Sequence, residues 1–333
     1  MSELVRRLVP DRFILALIAT VALASLLPAR GSFAEFADHL ATAAIVLLFF
    51  VHGAKLPRSA VMAGLTHWRL HLLIMACTYA LFPLLGLALA GALPGLLPPA
   101  LWTGMLFLCA MPSTVQSSIA FTSTAGGNVP AAIAAASASQ LLGIVLTPAL
   151  VSLLAEAHGG SIDVSGIGPI LLQLLVPFLA GHLLRPWIGG WIERHKPLTA
   201  ITDRSAILIS VYSAFSAAVV GGIWSRLPLP SLVALIGVCM VLLALILIVT
   251  RGLARLFGFS REDEITIVFC GSKKSIVTGV PMARVLLPGP EMGVVLLPLM
   301  IFHQIQLMAC AWLAQRYAKA QKFDQHQIEV ARR

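Results

Sequence analysis

Two adjacent lysines lie inside a long apolar segment of this chain of 333 residues, and they are its clearest candidates for chemistry. Lys273 and Lys274 belong to the polar tract Gly271–Ser275, which interrupts an apolar run that starts near Ile265. At about 1.5 Å of rise per helical residue, Lys273 would lie roughly 12 Å inside that run. Placing a lysine at such a depth in a bilayer costs at least about 2.5–3.5 kcal/mol, so we predict a functional role. The alternative is that one or both stems extend to the bilayer interface.

Hydroxyl and amide side chains accompany the lysines and also occupy an earlier tract. The N–H groups of a half-helix that follows the lysines would favour an anion. The earlier tract contains Pro112, which removes a backbone hydrogen bond and would break its helix. The residues predicted to bind substrate are Lys273, Lys274, Ser272, Ser275, Ser113, Thr114, Gln116, His303 and Gln304. The residues predicted as ligands of a coupling ion are Ser117, Ser118, Ser137, Ser139 and Gln140.

Each of these polar residues also has a purely structural interpretation. Serine and threonine in membrane helices bond back to their own helix or to neighbouring helices. His303 could relay protons near neutral pH, but a single membrane histidine can equally be a hydrogen-bonded packing residue. The sequence leaves both interpretations open.

The acidic residues supply a complementary clue to the substrate. All fourteen fall in predicted loops, tails or span edges, and none falls in the middle of an apolar run. A carboxylate pair of the kind that binds sodium or protons within a membrane is therefore not predicted. A cationic, hydroxyl-rich site suits an anionic small-molecule substrate. We predict no cofactor and no metal site, with Na⁺ or H⁺ as the candidate coupling ions.

A membrane fold must position these residues. Apolar residues make up 59% of the chain and charged residues 11%, with a mean hydropathy of +0.93, which leaves too little polar surface for a soluble globule. A helix needs about 20 apolar residues to cross a bilayer. The predicted spans are 12–28, 36–54, 70–92, 101–125, 129–155, 167–189, 202–224, 229–256, 263–287 and 291–317.

The basic residues orient the predicted spans. With both termini in the cytoplasm, 18 of the 23 lysines and arginines fall on the cytoplasmic side, as the positive-inside rule requires. We therefore predict an integral protein of the bacterial inner (plasma) membrane with ten spans. The net charge of +9 is spread over short loops rather than along an aromatic-rich stripe, so nucleic acid is not a predicted partner. The lipid bilayer is the predicted environment, and the oligomeric state is left open.

The ten spans can be divided into two halves of five. An odd number of spans per half inverts the second half relative to the first. The fourth span of each half is interrupted by polar and helix-breaking residues, at 111–118 and 270–275. Paired breaks of this kind are typical of transporter binding sites. We predict an all-α membrane protein consisting of one integral domain, with inverted five-helix repeats at 1–156 and 157–318 and a cytoplasmic tail at 319–333.

Other functional classes fit the sequence less well. It contains no GxSxG elbow, no HExxH motif and no paired intramembrane aspartates, and a catalytic nucleophile needs a positioned base. We therefore do not predict an enzyme. A membrane regulator or scaffold that transports nothing remains the alternative from a different class.

Several features in combination point to a known family. They are Pro112, the Ser117-Ser118 pair, the Gly127-Asn128 turn, Thr147-Pro148, the break at Gly271 and the His303-Gln304 pair. Together they resemble the bile acid:sodium symporter family, and most closely its divergent prokaryotic branch of sodium-dependent transporters. The tract Phe269–Ser275 is the most specific part, and the resemblance extends from about the second span to the tenth.

The resemblance implies a panel formed by spans one, two, six and seven, and a core that contains the other spans. It implies that the broken fourth and ninth helices cross in the core and that substrate binds near the crossing, between core and panel. In the bile acid branch, a Ser-Asn pair that contacts sodium corresponds to Ser117 and Ser118. A His-Asn pair near substrate corresponds to His303 and Gln304.

Departures from the family pattern concern the sodium ligands. Phe269 stands where the bile acid branch has a sodium-binding glutamate, and Lys273 stands where it has a neighbouring glutamine. Ala132 and Ala136 stand where hydroxyl residues would complete the other sodium site. Our leading hypothesis is a secondary transporter of an organic anion or similar amphipathic solute, in which Lys273 or Lys274 supplies the charge of a coupling cation. The alternative is sodium coupling through the remaining hydroxyls and backbone carbonyls.

Overall fold

The computed structural model describes residues 12–55, 67–157, 167–222, 227–287, 289 and 291–331. These residues form helices joined by short connections and contain no β-strand. The predicted all-α architecture is confirmed for this part of the chain. Residues 1–11 and 332–333 of the predicted cytoplasmic ends lie outside the described residues, as do residues 158–166 beside the predicted junction of the repeats.

The α-helices are numbered here in chain order. The first six are α1 (Arg12–Leu26), α2 (Ser32–Lys55), α3 (Trp68–Ala76), α4 (Phe82–Ala92), α5 (Pro99–Ala110) and α6 (Gln116–Thr124). A π-helical turn, Cys77–Leu81, joins α3 to α4. The others are α7 (Val129–Ala157), α8 (Ile167–Arg194), α9 (Lys196–Val220), α10 (Leu229–Leu256), α11 (Arg261–Gly271), α12 (Ile276–Leu286) and α13 (Met292–Ala331).

Helices long and apolar enough to cross a membrane occur along most of the chain. In the described residues they are Ser32–Lys55, Trp68–Ala92, Val129–Leu154, Lys196–Val220, Leu229–Leu256 and Met292–Ala320. These six helices support an integral membrane protein. The predicted fourth and ninth spans are each split into two short helices, α5 with α6 and α11 with α12, so neither meets that length by itself. The count of ten spans stays a prediction.

The chain divides into two compact units. Unit 1 comprises residues 1–55, 172–228 and 280–296, and unit 2 comprises residues 56–171, 229–279 and 297–333. In unit 1, α2 and α8 approach so closely that a Cβ atom added at Gly53 would lie 1.9 Å from the Phe178 carbonyl oxygen. A Cβ at Gly181 would lie equally close to the Phe50 carbonyl oxygen. Small residues permit this backbone approach, which stabilises helix packing in membranes.

Unit 1 also contains a buried carboxylate that the sequence placed at a span edge. Helix α9 begins at Lys196, six residues before the predicted span, so Asp203 lies two turns inside the helix and is 7% exposed. Its Oδ2 atom accepts a hydrogen bond from Lys55 Nζ at 2.7 Å. Asp203 is therefore buried inside a helix, and its ion pair with Lys55 at the end of α2 compensates for the burial.

In unit 2, the start of α7 is fixed against α11. Gly126 adopts a left-handed φ of 72°, which favours glycine, in the turn before α7. The Asn128 side chain donates to Asp263 Oδ1 at 3.0 Å, and its backbone N–H donates to Thr266 Oγ1 at 2.9 Å. A Cβ at Gly127 would lie 2.7 Å from Ile265, so α7 begins in direct contact with α11.

Candidate functional site

The first helix break lies between α5 and α6, in unit 2. Helix α5 ends at Ala110, and Met111 is extended with φ −70° and ψ 151°. Pro112 cannot donate a backbone hydrogen bond, so carbonyl groups in the last turn of α5 lose their usual helical partners. Side chains of α7 bind the backbone of the break that follows: the Ser139 hydroxyl accepts from Ser113 N at 3.0 Å, and Gln140 Nε2 donates to Ser113 O at 2.6 Å.

The second helix break lies between α11 and α12. Helix α11 ends at Gly271 and α12 begins at Ile276. Gly271 is not in a left-handed conformation, so the backbone of this break does not require a glycine. Space is the stronger constraint, because a Cβ at Gly271 would lie 3.2 Å from the Cys77 Cβ. Gln306 stabilises the break by accepting from Lys274 N at 2.9 Å and donating to Lys274 O at 2.8 Å.

The two breaks are joined by direct hydrogen bonds. Ser275 N donates to Pro112 O at 2.9 Å. Ser113 Oγ donates to Cys270 O at 2.6 Å, and Ser118 Oγ donates to Phe269 O at 3.2 Å. Carbonyl groups at the end of α11 are therefore satisfied by hydroxyls of the first break, which is the arrangement that buried backbone groups require.

Lys274 places its ammonium group in a cage of backbone carbonyls. The side chain is completely buried, and Nζ donates to Thr78 O at 2.7 Å, Cys109 O at 2.8 Å and Met111 O at 2.7 Å. Three acceptors match the three donors of a protonated lysine. The Phe82 ring centroid lies 4.1 Å from Nζ and adds a cation–π contact.

Local sequence explains why these carbonyls are free to accept from Lys274. In the π-helical turn, Phe82 N donates to Cys77 O, and the next residue is Pro83, which has no N–H. Thr78 O therefore has no backbone donor on its own helix. Ser113 N, the usual i+4 partner of Cys109 O, is bonded to the Ser139 hydroxyl instead. A π-helical turn beside one proline and a helix break at another thus create the cage.

Lys273 is also completely buried but has a different environment. Its Nζ donates to Ser117 O at 2.9 Å. The Phe121 ring centroid lies 3.8 Å from Nζ, and the Phe269 ring centroid lies 5.3 Å away. Neither lysine extends to the surface, so the alternative of stems reaching the bilayer interface is not what the structure shows. The carbonyl partners described for Lys274 use all three of its donors, whereas those of Lys273 use one.

The other residues predicted for substrate occupy varied positions around the two helix breaks. Ser275 Oγ lies 3.1 Å from Thr278 Oγ1, and Thr114 Oγ1 lies 2.6 Å from Ser117 Oγ. Ser113 and Ser272 are buried, and Gln116 is exposed at the start of α6. The structure brings most of these residues to the two breaks, with Gln116 at the periphery.

The tenth predicted span contributes His303 and Gln304 from α13. His303 Nδ1 lies 3.3 Å from Lys274 O and 2.8 Å from Gln306 Nε2, so this histidine contacts the second break. Gln304 is half-buried on the same helix. The predicted substrate residues included His303 and Gln304 but not Gln306, although the i+3 spacing of Gln306 from His303 places both side chains on one helix face.

The residues predicted as ion ligands form much of the network between the helices. Ser139 and Gln140 bind the first break, and Gln140 Oε1 also accepts from Thr278 Oγ1 at 2.5 Å. Ser118 Oγ lies 3.1 Å from Thr114 Oγ1 as well as donating to α11. Ser117 and Ser137 are half-buried. Several of these oxygen atoms are thus already engaged by protein groups.

Comparison with known proteins places these features in a family. A family model described as the SBF-like CPA transporter family (DUF4137) matches residues 11–319. "Putative symporter YfeH" of Escherichia coli is 54% identical over 319 residues, which cover 96% of each chain. "Uncharacterized protein PA2026" of Pseudomonas aeruginosa is 59% identical over 94% of each chain. "Sodium/bile acid cotransporter 7" of Rattus norvegicus is 29% identical over 80% of this chain and 79% of its own length.

Proposed function

The chain belongs to the SBF-like CPA transporter family, and from this membership we propose that it is a secondary transporter of an organic anion in which Lys274 replaces a coupling cation. Membership agrees with the predicted resemblance to the bile acid:sodium symporters and points to transport rather than catalysis. Beyond the family function, the proposal specifies organic anions as the class of substrate and assigns the role of a coupling cation to the Lys274 side chain. It is supported by the carbonyl cage around the Lys274 ammonium group.

The cage supports a cation position for a physical reason. Backbone carbonyls at interrupted helices are the groups that coordinate Na⁺ in broken-helix transporters. Here three such carbonyls converge within 2.7–2.8 Å of a covalently attached ammonium group. Each charge-assisted hydrogen bond contributes on the order of 1.5–3 kcal/mol, which together offset a desolvation cost of several kcal/mol. A tethered cation of this kind would make the site independent of sodium.

Lys273 is the better candidate for attracting the substrate anion. Its described carbonyl partner uses one N–H, and the aromatic faces beside it are weaker acceptors than carbonyl oxygens. A modest rearrangement would therefore free its charge for a carboxylate, sulfate or similar group. The Ser117 and Thr114 hydroxyls beside it could add hydrogen bonds to the same anion.

The predicted topology forms part of the proposal. Ten spans are supported by the match between each predicted apolar run and one helix or one consecutive pair, and cytoplasmic termini in a bacterial inner membrane are proposed from the excess of lysines and arginines on that side. Unit 1 contains most of the first, second, sixth and seventh predicted spans, which supports a panel made of them, although it also includes residues 280–296 at the end of the ninth span and the start of the tenth. All five cysteines are buried, so single cysteines introduced at Arg30 and Lys319 would report sidedness by thiol labelling.

Ligand binding with and without sodium tests the transport proposal. Purified protein would be screened against organic anions, with taurocholate as the first probe, and ligand-induced stabilisation would be measured in sodium and in choline buffers. We expect equal stabilisation of the wild-type protein in both buffers. A sodium requirement in the wild type would favour the hydroxyl-based alternative, and no stabilisation by any anion would favour a scaffold.

Substitution of the two lysines distinguishes their roles. In proteoliposomes, Lys274→Ala should lose anion uptake in choline and regain part of it in sodium or ammonium, because a free cation can enter the vacated cage. Lys273→Ala should lose uptake in every buffer, since its charge is assigned to the substrate. Uptake that persists in Lys274→Ala without any small cation would contradict the proposal.

A further inference from the structure

A second cationic region of unit 2 lies at one end of α10 and α13, away from the two helix breaks. It is a cavity of about 740 Å³ whose lining includes Arg251, Arg255, Arg261 and Arg316. Glu264 is the acidic residue that lines the same cavity. Four guanidinium groups and one carboxylate leave a formal charge of +3. The positive-inside pattern predicts that this end faces the cytoplasm.

Glu264 orients two of the arginines through their Nε atoms. Arg251 Nε lies 3.1 Å from Glu264 Oε1, and Arg255 Nε lies 2.9 Å from Glu264 Oε2. Tyr317 donates to Oε1 at 3.2 Å, so the carboxylate is held from α13 as well. The carboxylate is buried, whereas the Arg251 and Arg255 side chains are 48% and 59% exposed. Two guanidinium groups are therefore fixed in direction but accessible to a further anion.

The surroundings of the cavity combine charge with exposed apolar surface. Arg316 lies over the Trp312 ring at 4.0 Å, and Trp312 is itself exposed. Met308, one turn before Trp312 on α13, is also exposed, as is Ile248, about one turn before Arg251 on α10. Tryptophan is enriched where a membrane protein meets the headgroup layer. Both helices thus present an apolar residue on the side of the cavity that leads towards the centre of the predicted spans.

We propose that this cavity binds the phosphate group of an anionic phospholipid, with the acyl chains lying along Ile248 and Met308. Arginine forks match the oxygen geometry of phosphate, and basic pockets between helices on the cytoplasmic side are suited to acidic headgroups. A soluble phosphate ester offers the same oxygens but would leave the apolar residues uncovered. The proposal does not depend on transport, because it concerns residues outside the two breaks.

Lipid retention measured by native mass spectrometry tests this site. The purified full-length protein would be titrated with phosphatidylglycerol, with phosphatidylcholine of the same acyl chains, and with phosphatidylglycerol in the presence of inorganic phosphate. We expect phosphatidylglycerol to be retained in preference to phosphatidylcholine. Arg316→Gln should weaken that retention about fivefold, the effect of removing one cation near a headgroup. This variant leaves the ion pairs of Glu264 intact.

A matched control and a second variant keep the test decisive. Arg69→Gln removes one positive charge near the same end of α10 but outside the lining of the cavity, where Arg69 donates to Phe257 O, and should leave retention unchanged. The triple variant Arg251→Gln, Arg255→Gln, Glu264→Gln removes the oriented pair without stranding a buried carboxylate, and should abolish the lipid preference.

Two results would overturn the proposal. Equal retention of the two lipids by the wild-type protein would show that the cavity does not select an anionic phospholipid. If inorganic phosphate bound in a way that depends on Arg316 and phosphatidylglycerol was not preferred, the ligand of the cavity would be free phosphate and not a phospholipid.

Discussion

Unit 2 holds positive charge in two contrasting environments. At the helix breaks, Lys273 and Lys274 are completely buried, and the partners described for their amines are backbone carbonyls and aromatic rings. At the end of α10, Arg251 and Arg255 are about half-exposed, and a carboxylate pairs with both. The interrupted backbone at the two breaks supplies the buried carbonyl acceptors of both amines, so substitutions at the breaks and at the lysines should affect each other.

The contrast has a functional meaning. A carbonyl cage binds a cation of one size and geometry and suits a fixed ion position, whereas arginines at a surface remain available to an anion from outside. We therefore expect substitutions at the lysines to change coupling and stability together. Substitutions at the arginines should change lipid association with little effect on the fold.

The largest expected effect is at Lys274. Replacing it with alanine leaves three buried carbonyls without a donor, at about 1–3 kcal/mol each. Lys273→Ala leaves one such carbonyl and should cost less than half as much. Thermal unfolding in detergent with choline as the counter-ion would measure both. A cost for Lys273→Ala equal to that of Lys274→Ala would break the distinction between the two lysines.

Two helical glycines offer a matched test of the packing that holds the first break. A Cβ at Gly143 would lie 2.8 Å from both Pro112 Cβ and Tyr79 Oη, whereas nothing lies within 4 Å at Gly252 beside the arginines. Gly143→Ala should destabilise the protein by about 1–3 kcal/mol through overpacking. Gly252→Ala should stabilise it by about 0.4–1 kcal/mol if the helix geometry is kept. Equal unfolding temperatures for the two variants would contradict this difference in packing.

Aromatic contacts with the lysines should have an intermediate effect. A double-mutant cycle of Phe82→Leu with Lys274→Met isolates their coupling, for which we expect about 1–2 kcal/mol in a desolvated site. Phe107→Leu is the control, because Phe107 is equally buried but is not among the rings found over the lysine. A coupling energy near zero would leave the carbonyls as the sole stabilising partners of the ammonium group.

The smallest expected effect on stability is at the arginine cavity. Glu264→Gln should lower the unfolding temperature by less than Phe82→Leu does, because its two arginine partners are about half-exposed. The difference from wild type should shrink as salt concentration rises, since exposed ion pairs are screened. A salt titration of unfolding temperature for both proteins would measure this. A difference that does not change with salt would mean that Glu264 acts mainly through buried packing.

Sequence reasoning located the breaks because proline and glycine act locally. Pro112 and the polar tract around Lys273 stood out in apolar surroundings, and both lie where helices end. The carbonyl partners of Lys274 were not predictable in the same way, because Thr78 is distant in sequence and its carbonyl is freed by a π-helical turn. Pro83 was the available signal, since it removes a donor within an apolar run.

Two other features required tertiary structure. Gln306 contacts the backbone of the second break from another helix. The sequence around a glutamine does not show which distant backbone groups its side chain will bind. The burial of Asp203 was not predicted, because hydropathy does not show what a side chain packs against. Its ion pair with Lys55 depends on packing between α2 and α9, which periodicity does not reveal.

Sodium binding to purified protein tests the central assignment of Lys274 most directly. Isothermal titration calorimetry with sodium chloride would compare wild type, Lys273→Ala and Lys274→Ala in choline buffer. We predict no saturable sodium binding by wild type or Lys273→Ala, because the amine of Lys274 occupies the cage, and saturable binding by Lys274→Ala. Sodium binding of equal affinity in wild type and Lys274→Ala would contradict the replacement of a coupling ion by this lysine.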